Sequence, residues 1–178
     1  MLLKHDHSEL DDLLAAFFRN LAAGDLAQSF DNLDLFWARL GIHIRAEHLH
    51  LFPTLLHALS HPQSKKAGGR RPSFDAAENT IARLRADHHF FMTELAAAIK
   101  QLREIRQNAH SDKPALIENV REKIAMVAQR LKAHNELEES DVYPLAEVLL
   151  TPADCVILNE KMGKELDNVP QRFSTGAK

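Results

Sequence analysis

The chain has 178 residues, 45% of them apolar, with only 6 Gly and 7 Pro, enough for one domain with a substantial core. Its 22 basic and 25 acidic side chains give a formal charge of −3, which argues against a nucleic-acid or anionic-membrane surface as the main role, so neither partner is expected. A single Cys excludes a disulfide framework and a thiolate-built metal cluster; no apolar run is long enough to span a membrane, and the opening MLLKHDHSELDD is too polar for a signal peptide, so a cytoplasmic protein is expected.

Ala, Leu, Glu, Lys, Arg and Gln dominate and no stretch alternates at period two, so the pattern predicts an all-α chain. A first helix is expected near residues 4–23, ended by Gly24, with an apolar stripe of Leu3, Leu10, Leu14, Phe18 and Leu21. A second is expected over about 28–60, with Leu33, Phe36 and Leu40 on one face. Residues 61–73, HPQSKKAGGRRPS, read as a flexible linker whose basic cluster (Lys65, Lys66, Arg70, Arg71) is solvated. Ser73 caps a third helix over 74–109, striped by Ile81, Leu84, Phe91, Leu95, Ile99 and Leu102. HSDKP (110–114) reads as a turn, and Pro114 suits the start of a fourth helix over about 115–150. Its stripe is Leu116, Val120, Val127, Leu131, Leu137, Leu145 and Val148. Thr151 and Pro152 look like the cap and first residue of a short fifth helix to about 166, followed by a frayed tail. Short turns within each helix pair make an up-down four-helix bundle over about 3–150, in a single domain of 1–178 whose remainder, 151–178, is the short helix and tail.

Each stripe is interrupted by a histidine. His7 lies on the first, His43 continues the Leu33/Phe36/Leu40 face, His88 lies on the third, and His134 sits between Leu131 and Leu137. Two of the helices add a carboxylate one turn later on the same face, Glu47 after His43 and Glu138 after His134. Glu139 points about 140° away from His134 and is the poorer candidate. Unpaired carboxylates in such a core would cost several kcal/mol or become neutral. A cation resolves the conflict, and imidazole with carboxylate suits iron, manganese or zinc.

The groups can meet. His7 is 16 residues from Ala23 and His43 is 15 from Gln28; His88 is 22 from His110 and His134 is 20 from Pro114. At about 1.5 Å per residue, each hairpin brings its two histidines to one level. The halves also look like copies: HIRAEHLHLFP (43–53) aligns with HNELEESDVYP (134–144), and Asp6-His7 with Asp87-His88. Such halves favour a dinuclear site with one metal per His pair, the two carboxylates bridging or shared.

The remaining polar residues have simpler readings. His5, His48, His61, His89 and His110 read as surface groups. His50 could line an approach to the site, as could the more distant His57. Asp11, one turn after His7, reads as a surface or outer carboxylate, while Asp6 and Asp87 could orient a neighbouring ring. A ferritin-like di-iron bundle needs two Glu-x-x-His motifs, and only Glu47 to His50 matches. HExxH, G-x-S-x-G and P-loop motifs are absent.

Asp6-His7, His43-x-x-x-Glu47 with Phe52-Pro53, Asp87-His88, and His134-x-x-x-Glu138 with Tyr143-Pro144 resemble the hemerythrin-like, or HHE cation-binding, domain over about residues 3–150. The resemblance implies a four-helix bundle holding two iron ions in an oxo- or hydroxo-bridged non-haem centre. His7 and His43 would bind one iron, His88 and His134 the other, and Glu47 and Glu138 would bridge them. Oxygen-carrying hemerythrins have a fifth histidine one turn after the third-helix ligand, where this chain has Met92, and their last carboxylate is an Asp five residues on. The expected sphere is therefore poorer in nitrogen and open at one iron. This leads to a binding protein for O2 or NO, or for handling iron, with no catalytic residue assigned. The alternative is an enzyme reducing peroxide or NO at the same centre.

Overall fold

A computed structural model describes residues 2–61, 73–108 and 112–176. The chain is all-helical, with no strand among these residues. Most of the expected linker, 62–72 with its basic cluster, and residues 109–111, which include His110 and the start of the expected turn, lie outside the described residues.

Helix α1 spans Leu2–Ala22 and stops where Gly24 takes a φ of 78°, a conformation that costs glycine least. Helix α2, Leu26–Ala46, starts at Asp25, whose side chain accepts from the Gln28 N–H. It continues through one π-helical turn, Glu47–Leu51, into α3, Phe52–Ser60. Helix α4, Phe74–Gln107, is capped by the Ser73 side chain as expected. Helix α5, Lys113–Leu137, passes through a second π turn, Glu138–Val142, into α6, Tyr143–Leu149. Thr151 and Asp154 form a reciprocal capping box that opens α7, Pro152–Leu166. Where a frayed tail is expected, Gln171–Gly176 forms a short 3-10 segment.

The two π turns have a common cause. The Phe52 N–H bonds back to the Glu47 carbonyl and the Tyr143 N–H to the Glu138 carbonyl, five residues away. Pro53 and Pro144 follow directly; each lacks an N–H, and its ring crowds the carbonyl four residues back, so the helix widens there. One inserted residue rotates everything beyond it by about 100°. The expected fourth stripe fails from that point: Val148 is 49% exposed and Leu145 half-buried, while Val142, Tyr143 and Ala146 are buried. On α1 a smaller correction applies. Phe17, in register with Leu10 and Leu21, is fully buried and Phe18 only partly so.

Antiparallel pairs α1/α2 and α4/α5 pack into the bundle, with α7 laid against α2 and the first π turn. Two apolar clusters result. One joins Leu10, Leu14, Phe17, Leu33, Phe36, Leu40, Phe91, Leu95, Val127 and Leu131. The other gathers Leu3, Leu51, Phe52, Leu55, Leu84, Val142, Tyr143 and Met162 at the opposite end. In every long helix the stripe histidine falls between them, so the polar site is sealed above and below by hydrocarbon. No described helix is long and apolar enough to cross a membrane.

Candidate metal centre

His7, His43, His88 and His134 are each at most 4% exposed, and Glu47 and Glu138 are fully buried. The four imidazoles converge through Nε2. His7 and His43 approach to 3.3 Å, and His88 and His134 to 2.9 Å. Each carboxylate divides its oxygens between the two His pairs. Glu47 Oε1 is 3.7 Å from His43 Nε2 while its Oε2 is 3.3 Å from His88 Nε2. Glu138 Oε2 is 3.3 Å from His7 Nε2 while its Oε1 is 2.9 Å from His134 Nε2. Among the described residues, two sets of donor atoms lie close enough to hold an ion: Glu47, His88, His134 and Glu138, and His7, His43 and Glu138. All six residues singled out by sequence are brought together.

The far side of each ring is also held. The His43 Nδ1–H donates to Asp6 Oδ2 at 2.8 Å, and the His134 Nδ1–H to Asp87 Oδ2 at 3.3 Å. Arg39 and Arg130, each four residues before the histidine on the same helix, anchor those aspartates at 2.7 and 2.8 Å. The His7 Nδ1–H donates to Glu139 Oε1 at 3.1 Å, and Lys4 pairs with the other oxygen of that carboxylate. His88 Nδ1 faces His48 Nε2 at 2.9 Å. Burial, aided by the charge of His88, pulls His48 down to a pKa of about 4, so His48 is neutral and accepts. With each Nδ1 committed outward, the Nε2 atoms face inward, where each can present a lone pair to a cation.

His48 is thus not the surface group expected of it, and Glu139, a poor ligand candidate on angle, instead holds His7. The pseudo-symmetry is crossed: the residue after each buried glutamate serves the first histidine of the other half. Arg39 and Arg130 escaped the sequence reading, although the repeat R-x-x-x-H-x-x-x-E at 39–47 and 130–138 was there to be read. Asp11 is exposed and outside the donor sets; His50 faces Glu165 of α7 at 3.9 Å instead of the site. His5, His57, His61 and His89 are exposed. Met92, half-buried, packs with the apolar cluster of Leu40 and Phe91 beside Gly41, where a Cβ would stand 3.2 Å from its Cε.

The metal-free electrostatics are unbalanced. Burial, reinforced by the Glu138 charge, pushes the Glu47 carboxyl well up. Burial works in the same direction on Glu138, but the imidazoles of His134, His7 and His88 outweigh it and hold that carboxyl well down. Burial would lower His7, yet Glu138 and Glu139 raise it. Glu47 Oε2 and Glu138 Oε1 are buried without a hydrogen-bond partner. Two inward-facing imidazole nitrogens per side and the buried carboxylate oxygens beside them are a donor set suited to a hard-to-borderline cation.

Comparison with known families agrees. The sequence model of the hemerythrin HHE cation binding domain matches residues 2–146, and the chain belongs to that family. No curated protein and no solved structure matched. Family and buried His/Glu cluster together point to cation binding.

Proposed function

We propose that the chain is a non-haem di-iron protein that binds O2 or NO, or handles iron, at the buried His/Glu site. The observation that carries this reading is the division of each glutamate between two His pairs, one oxygen to each. His7 and His43 would hold one ion, His88 and His134 the other, with Glu47 and Glu138 across both. Two such ions supply reversible binding of a small diatomic ligand and the electrons that binding draws on.

The rest of the work falls to the chain. Asp6, Asp87, Glu139 and His48 fix ring orientation and leave each Nε2 free to coordinate. Leu10, Leu14, Leu40, Phe91 and Leu131 close one side against water, and Phe52, Leu55 and Leu84 close the other. With Met92 where the oxygen carriers have a histidine, that position offers no nitrogen donor.

Metal analysis of protein from iron-replete cells should give two irons per chain, and optical spectra of the reduced protein should change on adding O2 or NO. Sustained consumption of peroxide or NO by the loaded protein would make it a reductase instead. Absence of metal after iron loading would refute the proposal.

A further inference from the structure

Tyr143 occupies a place that the symmetry of the site does not require. It aligns with Phe52 in the other half, and both rings lie over the first histidine of the opposite pair. Phe52 stacks on His88 with centroids 6.1 Å apart, and Tyr143 on His7 at 5.8 Å. Only Tyr143 carries a hydroxyl, and it is buried. Its oxygen lies 3.2 Å from each of three atoms: His7 Nε2, Glu47 Oε1 and Glu138 Oε2.

With Glu47 and Glu138 shared between the two His pairs as proposed above, those three atoms would serve one metal. Around it, His7 Nε2 stands 3.3 Å from both His43 Nε2 and Glu138 Oε2, and His43 Nε2 is 3.7 Å from Glu47 Oε1. Neighbouring donors around a single six-coordinate ion with bonds of about 2.1 Å stand about 3 Å apart. A hydroxyl 3.2 Å from each of three such donors is within reach of an ion that they would hold. A group merely packed behind a histidine would touch that histidine alone.

We propose that the Tyr143 oxygen is a fifth protein ligand to the metal held by His7 and His43. On binding ferric iron the phenol releases its proton to solvent and the oxygen bonds to iron; no electron moves. The two metals are thereby made unequal. The His88/His134 metal has four protein donors with Phe52 in the matching place, and so takes the exogenous ligand. This proposal rests on the di-iron reading above.

The chain contains one tyrosine, so any tyrosinate signal belongs to Tyr143. The full-length protein is loaded with ferric iron, and its iron content, visible spectrum and resonance Raman spectrum are recorded, with and without ring-deuterated tyrosine. The expected result is two irons per chain and a phenolate-to-iron charge-transfer band whose Raman modes shift on deuteration. Tyr143→Phe should keep both irons and lose the band. Two irons without the band or the isotope shift overturns the Tyr143 assignment and leaves the di-iron reading standing; no bound iron overturns both. Should Tyr143→Phe fail to fold, the isotope shift in the wild-type chain decides the matter by itself.

Discussion

The outer carboxylates are the most quantitative test of how the centre is held. Asp6→Ala removes the acceptor 2.8 Å from His43 Nδ1 and the partner 2.7 Å from Arg39. Burial raises the Asp6 carboxyl, yet His43 and Arg39 together bring it below the ordinary value, so its charge is stabilised in place. Two effects separate. Folding loses two charge-assisted hydrogen bonds, each worth about 1.5–3 kcal/mol. The Arg39 share is smaller, because that side chain is 28% exposed and keeps Glu9 as a partner. A net cost of about 2–3 kcal/mol is expected, lowering Tm by about 4–12 °C in a chain of this size. Metal binding loses the group that fixes His43's tautomer and basicity, typically a 10–100-fold drop in affinity, or about 1.4–2.7 kcal/mol. The assay is competition for iron against a graded chelator, alongside thermal unfolding of metal-free protein. Asp87→Ala should cost less affinity, because its bond to His134 is longer at 3.3 Å. If Asp6→Ala unfolds at a lower temperature yet holds iron as tightly as wild type, the carboxylate is structural only and the tautomer argument fails.

Four further outcomes follow from the same geometry. Glu47→Ala or Glu138→Ala should reduce bound iron from two per chain to one or none by elemental analysis, since each supplies an oxygen to both His pairs. Glu47→Gln should stabilise the metal-free protein while weakening metal binding. The Glu47 carboxyl is raised in the fold, so its contribution is present at low pH and lost as pH climbs from the ordinary glutamate range through its raised value. The variant's advantage in Tm, measured in chelator, should therefore widen with pH, and a constant or shrinking gap would contradict it. His48→Ala should weaken iron binding about tenfold through His88, with His48→Gln recovering part of the loss by offering an acceptor again. Phe91→Ala removes a fully buried ring that stands edge-on to His134 at 5.2 Å; about 3–5 kcal/mol of stability should go, read by denaturant unfolding.

The sequence by itself determined the helices, their pairing and the inward-facing donors. Those features are local: a stripe at 3.6-residue spacing fixes which side of a helix is buried, and a histidine on that stripe followed four residues later by glutamate must share its fate. His7, His43, Glu47, His88, His134 and Glu138 all come from that rule. Tertiary structure alone decided what lies behind and beside them. The π turns rotate the chain after Glu47 and Glu138, so angles counted along an ideal helix mislead beyond them, as at Leu145 and Val148. The crossed arrangement does the rest. His48 reaches His88 forty residues ahead, and Glu139 and Tyr143 reach back to His7 across more than 130 residues. Contacts between helices of opposite halves leave no periodic trace in either helix, because they depend on how the two hairpins dock.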